Sequence, residues 1–100
     1  MIFIQWTNAA FNELKVLPEE IAFEIIRRVD FLAQYPEMGG LLETRFTRLK
    51  GLRQIIVKRN WRVIYDFETD SETVFIVAVQ NCRQKLPFSS ELKRRKNRID

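Results

Sequence analysis

The chain has 100 residues, 46% of them hydrophobic, with 17 Lys and Arg against 13 Asp and Glu and a formal net charge of +4. This length favours one domain over residues 1–100 with a core of its own, and Cys82, the only cysteine, excludes an intrachain disulfide. Since there is no histidine, the commonest metal ligand and the usual acid–base group near neutral pH are missing, so no metal and no cofactor are predicted.

The sequence also predicts where the chain resides. No apolar run approaches the roughly 20 residues that cross a bilayer, and the first six residues lack the charged and apolar regions of a signal peptide. An unpaired thiol suits a reducing compartment. We therefore expect a cytoplasmic protein without a membrane partner.

The first part of the chain predicts a strand followed by two helices. Residues 2–6 are β-branched and aromatic, which favours a strand, and Thr7 or Asn8 can then cap a helix. Pro18 fits the first position of a second helix, which the Tyr35-Pro36 and Gly39-Gly40 pairs end. Because the link is short, the helices should form an antiparallel hairpin. Its apolar stripes comprise Ala10, Phe11, Leu14 and Leu17, then Ile21, Ala22, Ile25, Ile26, Val29 and Leu32.

The second part predicts a sheet for this hairpin to cover. Strands are expected at 49–58, 61–68 and 73–80, joined by turns short enough for an antiparallel meander. The run 74–79 is almost wholly apolar, as in a central strand covered on both faces. Ser89 or Ser90 then precedes a short basic helix, 91–98, within a basic tail at about 89–100. The predicted fold class is α+β: an N-terminal strand and a helical hairpin packed on a mainly antiparallel sheet of about four strands, with a possible short C-terminal helix.

Charge is distributed unevenly. Residues 1–43 carry three Lys and Arg against seven Asp and Glu, a net −4, whereas residues 44–100 carry fourteen against six, a net +8. A basic strand pair suits a polyanion held in a defined geometry, although a solvated basic surface is the alternative. Between Thr44 and Tyr65 there is no acidic residue, and the seven basic residues are Arg45, Arg48, Lys50, Arg53, Lys58, Arg59 and Arg62.

The length of the turn near residue 59 decides how the arginines lie. With an even loop, Arg53 lies opposite Asp66 and shares a face with Arg62, where the two arginines could bind neighbouring phosphates. A three-residue loop instead places Arg53 and Arg62 on opposite faces. A surface pair, or a cross-strand ion pair between Arg53 and Asp66, is the alternative to a functional role. Trp61 and Tyr65 alternate with Arg62, so we expect both in the core against the helices.

Three segments together resemble the RelE/ParE superfamily of bacterial toxins. They are Leu49-Lys-Gly-Leu-Arg53, Trp61-Arg-Val-Ile-Tyr65 and Val79-Gln-Asn-Cys-Arg83, in an order of elements that extends the resemblance over about residues 1–88. The resemblance implies the growth-inhibiting toxin of a type II toxin–antitoxin module. Its expected partner is a cognate antitoxin that is acidic and partly disordered.

Within that superfamily, RelE-like members cut mRNA in the ribosomal A site, and this activity is our first hypothesis from the sequence. The partners would then be the ribosome and mRNA. The resemblance carries the catalytic role to Arg62, Arg83 and Arg53, and our nucleic-acid-binding candidates are Lys50, Lys58, Arg59 and Arg48.

Two positions depart from the RelE-like pattern. Ile55 stands where many of these enzymes have a second lysine, and Phe88 stands nearest to a C-terminal tyrosine. ParE-like members share the Arg-hydrophobic-hydrophobic-Tyr strand but poison DNA gyrase without catalytic residues, which is the second hypothesis. A small RNA-binding module is a third, disfavoured because no exposed aromatic pair is evident on the sheet.

Overall fold

The computed structural model describes residues 1–42 and 51–98 and has an α+β architecture. The elements in chain order are β1 (Phe3–Trp6), α1 (Asn8–Lys15), α2 (Glu19–Asp30) continued by a 3-10 turn (Phe31–Ala33), β2 (Gly40–Leu41), β3 (Leu52–Val57), β4 (Trp61–Glu68), β5 (Thr73–Asn81) and α3 (Ser89–Arg95). The predicted class is confirmed. Residues 49–50, which began the second predicted strand, lie outside the described residues.

The sheet has five strands in the order β1-β5-β4-β3-β2. β1 runs parallel to β5, and the other neighbours are antiparallel, so β5 is a central strand as predicted. The fifth strand is β2, in which Gly40 and Leu41 pair with Gln54 and Arg53. The sequence predicts only that Gly39-Gly40 ends the helix, since a two-residue strand is defined by its partner and leaves no alternation in the sequence.

The helices cover one face of the sheet. The hydroxyl of Thr7 accepts a hydrogen bond from the Ala10 amide at 3.2 Å and donates one to the Ile76 carbonyl at 2.9 Å, which caps α1 and ties it to β5. Pro18 lies one residue before the first residue of α2, one position earlier than predicted. The buried side chains of this layer are Ala10, Leu14, Ile25, Val29, Leu32, Ile55, Val57, Val63, Tyr65, Val74, Ile76 and Val79.

The opposite face carries a second apolar cluster under α3. Leu92 of α3 is completely buried there, beside Ile64 and Val77. The helix begins at Ser89, preceded by Phe88 without a side-chain cap, so the predicted serine cap is wrong. One buried leucine and several ion pairs attach α3, which is why its sequence shows no apolar stripe.

Ion pairs hold α3 at two places. Arg95 contacts the Glu13 carboxylate at 3.2 Å and donates to the Val77 carbonyl at 2.7 Å. Lys96 contacts Asp66 at 2.8 Å and also pairs with Glu68. Burial opposes the charge of Lys96, but its hydrogen bonds to Asp66 and Glu68 prevail and raise its pKa above the ordinary value.

Beyond the end of β1, side chains bind backbone groups at the edge of β5. The pairing of β4 with β5 shifts between Ile64 and Tyr65, so that Val77 has no partner on β4. Its carbonyl is bound by Arg95, and the amide of Val79 donates to the Glu13 carboxylate at 3.0 Å. A longer β1 would have paired these backbone groups of Val77 and Val79. Side chains of α1 and α3 bind them instead.

Within residues 1–42 and 51–98, no helix has the length and apolar character to cross a membrane. In the same residues, no group of three or more Asp, Glu or Cys side chains could hold a metal ion.

Candidate functional site

Arg62 lies in β4, between Ile56 of β3 and Gln80 of β5. Its Nη2 donates to the Cys82 carbonyl at 2.7 Å, and its Nη1 lies 3.4 Å from the amide oxygen of Gln54. Its Nε is buried and has no partner among the described residues. Protein groups thus hold the guanidinium on two sides and leave the Nε donor unused.

Gln80 is the cross-strand neighbour of Arg62 and is only 7% exposed. Its Nε2 lies 3.3 Å from the Lys85 carbonyl, whereas its Oε1 is buried without a partner in the described part of the chain. Both residues therefore lie in a polar cluster with spare hydrogen-bonding capacity. Sequence reasoning missed Gln54 and Gln80; a signal was available, since Gln54 is the polar residue between Leu52 and Ile56 on that side of β3.

Two turns meet at this end of the sheet. A three-residue loop, Lys58 to Asn60, joins β3 to β4, and the amide of Cys82 donates to the Asn60 carbonyl at 2.7 Å. After β5, the amide of Arg83 donates to the Asn81 side chain at 2.9 Å. Lys58, Arg59 and Arg83 are all exposed here, and we call these three residues the basic turn surface.

Arg53 lies elsewhere. It pairs with Tyr65 across the strands, so the loop is the three-residue alternative, which places Arg53 on the face opposite Arg62. Its Nη1 donates to the carbonyls of Gly39 at 2.7 Å and Glu37 at 3.0 Å. The alternative of an ion pair between Arg53 and Asp66 does not form, because Asp66 pairs with Leu52 across the strands and binds Lys96.

Tyr65 completes this second polar cluster. Its completely buried hydroxyl accepts from the Gly39 amide at 2.9 Å and donates to the Pro36 carbonyl at 2.8 Å. Burial raises its pKa above the ordinary 10.0. Tyr65 and Trp61 both belong to the helix-side layer, as predicted. Together Arg53 and Tyr65 fasten the segment after α2 to the sheet.

The structure thus brings together four of the predicted site residues, Arg62, Arg83, Lys58 and Arg59, and separates Arg53 from them. Arg48 and Lys50 fall outside the described residues. The face of β3 that Arg62 occupies carries Leu52, Gln54 and Ile56, none of them basic. Ile55 is 5% exposed in the helix-side layer, so a lysine at that position would not lie on the face of Arg62.

This arrangement is suited to binding anions. Exposed Lys58, Arg59 and Arg83 can contact phosphate or carboxylate groups, and arginine does so with a planar fork. The hydrogen-bond partners of Arg62 are a backbone carbonyl and a side-chain amide, and neither group exchanges protons near neutral pH.

Comparison with known proteins matches residues 4–86 to a family described as the ParE toxin of the type II toxin–antitoxin system parDE. A chain of the RelBE2 toxin–antitoxin complex of Mycobacterium tuberculosis superposes with a TM-score of 0.69 at 22% identity, covering 80% of this chain and 96% of that chain. No curated protein matches significantly.

Two structures from E. coli have the same fold. The isolated RelE toxin has a TM-score of 0.69 at 16% identity, covering 94% of this chain and 98% of its own. A chain of the intact RelBE complex has a TM-score of 0.69 at 13% identity, covering 84% of this chain and 100% of that chain. At such identities the likeness shows a shared fold and does not transfer an activity.

Proposed function

Because the chain belongs to the ParE toxin family of type II toxin–antitoxin systems, we propose that it arrests growth by binding DNA gyrase and not by cutting RNA. This activity would place it in the cytoplasm with its target. The proposal takes up the second hypothesis from the sequence, because the geometry around Arg62 supports it better than the first.

One observation carries the proposal: among the described residues, neither group that binds Arg62 can act as the acid or the base that RNA cleavage by a 2′-hydroxyl needs. Such a reaction requires a base for the hydroxyl, an acid for the leaving oxygen and cations for the phosphorane. Arg62 is bound to a carbonyl and an amide, and its face of β3 carries no basic residue. Tyr65 lies on the other face with its hydroxyl occupied by Gly39 and Pro36. A protein that acts by binding needs none of these groups.

The antitoxin partner follows from the same family membership. RelBE, with which this chain shares its fold, is a toxin–antitoxin complex. We propose that the cognate antitoxin is acidic and partly disordered and covers the basic half of the chain, since residues 44–100 have a net charge of +8.

The test is a supercoiling assay with purified toxin and gyrase on relaxed plasmid DNA. We expect inhibition that the antitoxin reverses. The gyrase proposal would be refuted if gyrase supercoils the plasmid fully in the presence of the toxin concentration that arrests growth when the toxin is expressed.

The gathering of Arg62, Lys58, Arg59 and Arg83 at one end of a RelE-like fold favours a second candidate, ribosome-dependent mRNA cleavage. Its assay is primer extension on translating ribosomes, in parallel with naked mRNA. New 5′ ends that need the ribosome, together with unaffected gyrase, would establish this candidate in place of the first. Intact mRNA with inhibited gyrase would eliminate it.

A further inference from the structure

The turn between β3 and β4 holds an unfavourable backbone. Lys58 has φ = 50° and Arg59 has φ = 67°, so two consecutive residues with side chains occupy the left-handed region. Their Cβ atoms make this region costly, and turns of this kind ordinarily use Asn and Gly. Lys-Arg is therefore a poor choice for the stability of the hairpin, and residues kept at such a cost are candidates for function.

Hydrogen bonds immobilise the same turn. The Asn60 carbonyl accepts from the Cys82 amide at 2.7 Å, and the Cys82 carbonyl accepts from Arg62 at 2.7 Å. The two turns are thus joined through Cys82, and Arg62 acts as a positioning residue beneath them. The exposed cations of the basic turn surface project from a backbone that is held on both sides.

The nearby acidic group does not cancel this charge. Glu24 is engaged by Arg27, whose hydrogen bond lowers its pKa, and Lys58 adds a smaller electrostatic effect in the same direction. Arg59 and Arg83 have no ion pair with a carboxylate among the described residues.

We propose that the basic turn surface binds the phosphate backbone of duplex DNA, as presented in the gyrase–DNA complex. This inference rests on the proposed function and adds DNA as a direct contact. Phosphates repeat at fixed intervals along a duplex, so cations carried on a backbone that is already held can contact them without ordering the turn first. A disordered acidic segment adapts to any basic surface and gains nothing from a strained turn.

The experiment exchanges Lys58→Asn together with Arg59→Gly. These residues fit the left-handed turn, so we expect the melting temperature to rise by about 5 °C or more. The same exchange removes two phosphate contacts, so affinity for a duplex of about 20 base pairs should fall roughly tenfold to a hundredfold. If the turn has only a structural role, the double variant should gain stability without losing affinity for the duplex.

Salt dependence provides a second measurement. With three phosphate contacts, the slope of log affinity against log salt should be about −2.7 for the natural protein and about −0.9 for the double variant. The matched control is Lys15→Gln with Lys93→Gln, which removes the same charge from exposed positions on α1 and α3. The control should keep the natural slope. Arg83→Gln leaves the turn between β3 and β4 unaltered and should make the slope less negative by about 0.9. This variant tests the inference if the double variant does not fold.

Several outcomes would overturn the inference. One is an unchanged slope in both the double variant and Arg83→Gln. Another is binding to a glutamate peptide without binding to a duplex of equal charge, which would assign the surface to the antitoxin alone. A third is tighter binding to single-stranded RNA than to duplex DNA.

The supercoiling assay separates this inference from the proposed function. If the double variant inhibits gyrase fully while its DNA affinity is reduced, the DNA contact is irrelevant to poisoning and the inference fails, although the gyrase proposal stands. If the natural protein binds DNA with the expected slope but leaves gyrase active, the gyrase proposal fails and the link of this surface to a gyrase–DNA complex fails with it.

Discussion

The substitution Tyr65→Phe tests whether the tyrosine of the Trp61–Tyr65 strand is a structural residue. It deletes one hydroxyl group and retains the ring that packs in the helix-side layer. The hydroxyl is completely buried and makes hydrogen bonds of 2.9 Å with the Gly39 amide and 2.8 Å with the Pro36 carbonyl. The variant therefore leaves the Gly39 amide and the Pro36 carbonyl without the hydroxyl group as a hydrogen-bond partner.

The magnitude follows from these two bonds. A buried polar group that loses its partner costs about 1–3 kcal/mol, and Arg53 still holds the neighbouring Gly39 carbonyl, which limits the rearrangement. We expect a loss of about 2–3 kcal/mol in the free energy of unfolding. For a domain of this size, that loss lowers the melting temperature by roughly 10–20 °C.

Urea unfolding followed by circular dichroism measures the effect, with Tyr35→Phe as the matched control. Tyr35 is 61% exposed, so its variant should change stability by less than about 0.5 kcal/mol. Folded Tyr65→Phe protein should inhibit growth as before at a temperature where it is stable. A fully stable variant without toxicity would refute the structural role and identify the hydroxyl as part of the functional site.

The pH dependence of stability gives an independent check on the same group. The pKa of Tyr65 is raised in the folded state from 10.0, so the folded chain retains its proton where the unfolded chain loses it. This contribution to stability is complete below about pH 10 and is lost as the pH rises beyond it. Tyr65→Phe should therefore lose stability less steeply above about pH 10 than the natural protein; equal slopes would contradict the linkage.

Three other predictions concern the site and the segments that support it. Gly39→Ala should destabilise by about 1–3 kcal/mol in urea unfolding, because the new Cβ would lie 2.7 Å from both the Gln54 carbonyl oxygen and the Tyr65 hydroxyl, whereas Gly40→Ala, with nothing within 4 Å, should be nearly neutral. Glu13→Ala should cost about 2–3 kcal/mol, since it leaves the Val79 amide unpaired and removes the carboxylate that Arg95 binds; equal melting curves would show that the edge of β5 needs no cap. Arg62→Ala should reduce growth inhibition because it releases the Cys82 carbonyl, and Arg62→Lys should restore little since lysine lacks the planar fork; a fully toxic alanine variant would remove Arg62 from the site.

The sequence by itself determined most of the elements and most of their inward faces. Apolar spacing in the first half predicts two helices with a common buried side, and alternation in the second half places Trp61 and Tyr65 in the core. These patterns are local, because 3.6-residue and two-residue periods repeat within one element. The basic character of the second half could also be predicted from the sequence, since it follows from the excess of Lys and Arg over Asp and Glu in residues 44–100.

The tertiary structure decided which of these residues lie together. Whether Arg53 shares a face with Arg62 depends on whether the loop has an even or odd number of residues, and Lys58-Arg59-Asn60 contains no glycine to mark its length. The strand β2 exists only through its pairing with β3, and α3 is held by Leu92 and by an ion pair between residues 82 positions apart in the chain. Contacts over such separations leave no periodic signal in either partner, because neither residue is constrained until both elements are in place.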